Sequence, residues 1–71
     1  MRRAMLEALE KKYEANIAEA DTTIQIYLSN SVGIGEHPHH LEEIDKQIQK
    51  IADAQEKLQV LKSFEPERSV L

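Results

Sequence analysis

The chain has 71 residues, a net charge of −4, no cysteine and three aromatic side chains. This makes one small domain without disulfides or thiolate metal sites, and with too few rings for a ligand pocket or a base-stacking platform. Acidic and basic residues are mixed along it, which argues against a nucleic-acid footprint. No apolar run approaches the roughly 20 residues of a membrane helix. A chain this short buries only about 60% of its unfolded surface, so one core is marginal and a metal or a second chain is the available supplement.

The first predicted helix runs from about residue 3 to residue 29. Leu6, Leu9, Tyr13, Ile17, Ala20, Ile24 and Leu28 recur at steps of three and four, the stripe of an α-helix and not the alternation of a strand. The stretch has no Gly or Pro and is rich in Ala, the best helix former. Asp21, Thr22 and Thr23 form its weak point, because their side chains compete for backbone hydrogen bonds. The stripe passes from Ile17 to Ile24 without losing phase, so a continuous helix is expected there; a break capped by Asp21 is the alternative. Arg2, Arg3, Lys11 and Lys12 make a basic end, read as a solvated face, with a phosphate-contacting arm as the alternative.

Residues 30–37 read as a loop. Asn30 and Gly33 are candidates for the left-handed residue that ends a helix, and Gly35 offers a second reversal. Val32 and Ile34 are apolar in a polar setting and are expected to plug the end of a bundle. Pro38 suits the first position of a second helix, with His37 as its cap, and Glu42, Glu43 and Asp45 suit the positive end of the helix dipole.

That second helix is predicted over about 38–63. Its stripe is Leu41, Ile44, Ile48, Ile51, Leu58 and Leu61, with Gln55 or Ala54 between. Gln55 is either at the seam's edge or a buried polar residue that sets register, with Asn16 as its partner. Pro66 blocks continuation, and 64–71 is read as a tail. Two arms of nearly equal length joined by a short loop predict an all-α fold: an antiparallel two-helix hairpin in a single domain over 1–71. Apolar residues off the stripes, among them Met5, Ile26, Tyr27 and Val60, widen each face beyond a simple seam. Pairing of two hairpins into a four-helix bundle is therefore expected.

The loop gathers all three histidines. Glu36, His37, His39 and His40 could supply nitrogen and carboxylate ligands to a divalent metal such as zinc. His39 and His40 are neighbours that point apart on a helix, so Glu36, His37 and His40 are the candidate set. The weight of the spacing lies with no intrinsic cofactor, since one chain gives two or three ligands at most. Gly33-Ile34-Gly35 before a helix start is neither a phosphate-binding loop nor a dinucleotide fingerprint: no Lys-Ser/Thr follows and no strand precedes. No catalytic constellation can be placed, and a two-helix arm has no pocket to tune a general base. The chain is read as no enzyme.

The segment Ile24-Gln25-Ile26-Tyr27-Leu28-Ser29-Asn30-Ser31-Val32-Gly33-Ile34-Gly35-Glu36-His37-Pro38, followed by an acidic helix start, resembles small uncharacterised proteins of tailed bacteriophages and marine viral sequences. These carry a similar Tyr-Leu-x-Asn-x-Val-Gly-Ile-Gly-Glu-His-Pro run. The resemblance implies a viral origin and a short α-hairpin, and it brings no activity. His39 stands where the pattern suggests an acid.

The expected function is therefore protein–protein contact by a self-associating hairpin, a homodimer or larger helical oligomer, in a phage setting an accessory or host-modulating protein. Its contact surface would be Ile26, Tyr27, Val32 and Ile34, with a further host or phage protein as an additional partner. Glu7, Glu10, Lys11 and Lys12 interrupt any signal-peptide core, so a cytoplasmic location, that of the host cell if viral, is expected, with no membrane and no nucleic acid as partner. A metal- or small-ligand-binding module built on Glu36, His37 and His40 is the alternative.

Overall fold

The computed structural model describes residues 1–29 and 39–64. They form two helices, α1 (Arg2–Ser29) and α2 (His40–Leu61), and a 3-10 turn over Lys62–Phe64. No strand occurs among the described residues. The helices lie antiparallel as a hairpin in a molecule of 51 × 18 × 16 Å, long and one helix pair wide. The 28 and 22 residues of the two helices correspond to roughly 42 and 33 Å.

α1 is continuous through its weak point. The Thr23 hydroxyl donates to the Glu19 carbonyl at 2.9 Å. The group that would otherwise compete for backbone partners is thereby satisfied one turn back. α2 begins at His40, two residues later than expected. His39 occupies the cap position without a side-chain cap, while its carbonyl accepts from the Glu43 N–H at 2.9 Å. The His39 Nδ1–H donates to the Glu42 carboxylate at 2.7 Å, an exposed contact within the first turn. The expected roles of Pro38 and His37, and the loop readings of Asn30, Val32, Gly33, Ile34 and Gly35, fall outside the described residues, as does most of the 64–71 tail.

Two contacts define how the arms are aligned. The Tyr27 and His40 rings meet edge to face, centroids 5.2 Å apart, at one end. At the other, the Arg2 guanidinium donates to the Phe64 carbonyl. Between them the side chains turned toward the partner helix are Leu6, Glu10, Tyr13, Ile17, Ala20, Ile24 and Tyr27 on α1, and His40, Ile44, Gln47, Ile51, Ala54, Leu58 and Leu61 on α2, all buried or half-buried. Both rows step by four and three in strict alternation. That is the spacing of a coiled-coil seam. Ala20, Ala54 and Leu61 are its buried residues. The two alanines let the backbones approach, and the alignment sets Tyr13 across from Ala54, a large side chain against a small one.

This seam corrects the expected stripes. Leu9 and Leu28 on α1, and Leu41 and Ile48 on α2, are exposed. Each is one residue away from a seam position, which is about 100° around the helix. The row of α2 through His40, Gln47, Ala54 and Leu61 wins over the row through Leu41, Ile48, Gln55 and Lys62. Turning the second row inward would bury Lys62 and Gln55 and expose Leu61 and Ala54. Gln55 is accordingly exposed, and the polar side chains that do enter the seam include Glu10, His40 and Gln47, all half-buried.

Close approach at the alanines has a measurable consequence. Ala20→Leu should lose about 1–3 kcal/mol of stability by overpacking, read as a lower midpoint in urea. Ala52→Leu, on the exposed face of α2, should leave the midpoint nearly unchanged.

Candidate interaction surface

A seam this narrow leaves two flanks. On one, Asn16 and Glu19 of α1 and Lys50, Asp53 and Lys57 of α2 line a groove floored by Ala54. Lys57 Nζ sits over the Tyr13 ring at 5.6 Å, a cation–π contact that also lays the lysine stem along the seam. Asn16, Thr23 and Glu43 on this side are half-buried. Lys46 Nζ and a Glu43 carboxylate oxygen, 3.3 Å apart, add an exposed pair. Its middle is covered by its own side chains, while Leu9, Ile26 and Val60 stay exposed toward its ends.

The other flank is open. Its positions repeat every seven residues: Glu7, Glu14, Asp21 and Leu28 on α1, and Leu41, Ile48, Gln55 and Lys62 on α2. All eight are exposed. The antiparallel alignment brings Leu28, Leu41 and Ile48 together toward the Ser29/His39 end, at 62%, 79% and 52% exposure. The carboxylates of Glu7 and Glu14 and the ammonium of Lys62 lie toward the Arg2/Phe64 end. The face is graded along its length, apolar at one end and charged at the other.

The residues singled out in the sequence are distributed as follows. Ile26 is exposed and lines a shallow depression with Thr22, Gln25 and Ser29. Tyr27 is half-buried and its ring packs on His40, which places it in the seam. The physical reason is the four–three spacing, which takes Tyr27 inward and leaves Leu28 outside. Val32 and Ile34 lie outside the described residues. So do Glu36 and His37 of the candidate metal set; its third member, His40, is the half-buried partner of Tyr27. Among the described residues no group of three His, Asp or Glu side chains is placed to hold a metal ion. Nor is any described helix long and apolar enough to cross a membrane.

Leu28, Leu41 and Ile48 are legible in the sequence as apolar residues of the helical stripes, which places them in the core; the structure places them outside it. Strict alternation of fours and threes is the signal that excludes them. No protein-family model matches the chain, and no curated protein or solved structure matches it either.

The ring contact at the Ser29/His39 end contributes to holding the arms in register. A double-mutant cycle with Tyr27→Ala and His40→Ala should return a coupling of about 0.5–1.5 kcal/mol. The same cycle with Tyr27→Ala and Leu41→Ala should return none.

Proposed function

We propose that this chain is a non-enzymatic helical hairpin that acts through self-association and protein–protein contact, two copies pairing into a four-helix bundle. The observation that carries this reading is the imbalance between what is buried and what is exposed. Ala20, Ala54 and Leu61 are the buried apolar residues, whereas Met5, Ile26, Leu28, Leu41, Ile48 and Val60 are more than half exposed. Leu28, Leu41 and Ile48 among them lie together on one flank, and exposed apolar surface of this kind marks a contact site. The accessible surface is 5708 Å² for 8.1 kDa. A compact monomer of that mass exposes about 4,500 Å². The excess reflects the elongated shape of the hairpin, 51 Å long, together with its exposed apolar side chains.

The likeness of residues 24–38 to small phage proteins supports a role as an accessory or host-modulating protein in the cytoplasm of an infected cell. Such a protein works by occupying a surface. A narrow two-helix hairpin suits that role better than it suits chemistry on a small molecule.

Sedimentation velocity from micromolar to millimolar concentration tests the reading. The expected result is a species of twice 8.1 kDa, with a melting temperature that rises with concentration as a folded dimer requires. A mass of 8.1 kDa throughout, with cooperative melting independent of concentration, would overturn it.

A further inference from the structure

The graded flank determines how a second copy sits on it. Resting on the self-association proposed above, we infer that two hairpins pair face to face through the Leu28–Leu41–Ile48 flank with their Ser29/His39 ends together, α1 of each packing on α2 of the other. The occupant of this face is a second copy of the same chain.

The area suffices. The length of α2, roughly 33 Å, and the 18 Å width of the helix pair give a face of about 600 Å² per copy. That amounts to about 1,200 Å² buried in total, within the range of stable specific interfaces. On the opposite flank the exposed Met5, Leu9 and Val60 at one end and Ile26 at the other are divided by Lys50, Asp53 and Lys57, and the stem of Lys57 already covers Tyr13, so that side offers no continuous apolar face.

Symmetry then leaves two aligned choices, since a face that pairs with itself does so about a twofold axis. The axis can run along the bundle or across it. With the axis along the bundle, Leu28 meets the partner's Leu41, Glu14 meets the partner's Gln55 and Glu7 meets the partner's Lys62. Apolar groups meet apolar groups, a carboxylate meets an amide, and a carboxylate meets an ammonium. Asp21, set beside the partner's Ile48, is the worst mismatch, and the Glu14 charge is met by a hydrogen-bonding amide without a counter-charge. All neighbouring helices are antiparallel, as in an up-down bundle.

With the axis across the bundle, like helices pair and the ends are reversed. Glu14 then meets the partner's Asp21, and Glu7 meets the partner's Leu28. On α2, Leu41 meets the partner's Lys62. Like charges and buried unpaired charges oppose this arrangement at every level. The charge pattern of the flank selects the first choice.

The absence of native cysteine makes the test direct. Chains carrying one cysteine each are mixed in pairs and oxidised mildly, and mixed disulfides are read by mass spectrometry. Leu28→Cys with Leu41→Cys, and Glu7→Cys with Lys62→Cys, should cross-link well above the statistical share, since disulfides form only where Cα atoms lie within about 7 Å. Preferential cross-linking of Glu14→Cys with Asp21→Cys would overturn the arrangement while leaving the dimer standing. A dimer by sedimentation in which none of these pairs cross-links places the contact on another face and also overturns it. A monomer by sedimentation removes the self-association reading itself. Asp21→Leu should lower the dissociation constant about tenfold or more by removing the mismatch. An unchanged or raised constant counts against the stacking of Asp21 on Ile48. Helicity by circular dichroism, unchanged for these exposed positions, confirms that each variant is folded.

Discussion

Close approach of two helices at small side chains is the constraint from which the rest follows. Ala20 and Ala54 are the best-buried residues of the hairpin. Neither contributes much apolar area. Their value is steric: an alanine admits the large side chain across from it, so Tyr13 can lie over Ala54 and the helices can touch along one line. Once that line is set, each row must alternate four and three to stay on it, and each neighbouring row is turned aside.

The cost of so narrow a seam is a wide unpartnered flank, and the two flanks meet that cost differently. On one side the chain covers the middle of the flank itself. Lys50 and Lys57 lay flexible stems toward the seam and keep their charges in water, with Glu19 and Asp53 nearby to balance them. Such exposed charges add little stability. Their effect is to make the side unattractive to another apolar surface. On the other side the equivalent positions of α2 are Leu41 and Ile48, which no long polar side chain covers. The asymmetry of the molecule is thus a choice of residue type at positions related by symmetry of the helix pair.

Polar residues within the seam argue for alignment over raw stability. Glu10, Gln47 and His40 occupy positions that Leu or Ile would fill to greater effect on buried area. A polar residue on a seam discriminates among registers, because a slip changes what it faces. His40 against Tyr27 does this at one end, and the Arg2 guanidinium on the Phe64 carbonyl does it at the other. A hairpin whose helices carry similar four–three rows needs such marks, since a shift of one heptad would otherwise preserve most of its packing.

The sequence by itself determined two long helices, their antiparallel return, and the continuity of the first through Asp21–Thr23. It also identified Ile17, Ala20, Ile24, Ile44, Ile51 and Leu58 as facing inward. These follow from local propensity and from a period that any amphipathic helix displays. It did not separate Tyr27 from Leu28, or His40 from Leu41, or Gln47 from Ile48. Each pair are neighbours about 100° apart on a helix, and choosing the more apolar member is the natural reading of one strand of residues alone. Of the contact surface expected from sequence, Ile26 is exposed and Tyr27 is not, while Val32 and Ile34 lie outside the described residues, as do Glu36 and His37. The tertiary structure decided the angle at which each helix meets the other. That angle is set by what the opposite helix can accommodate, a property of two rows in contact and of neither row separately.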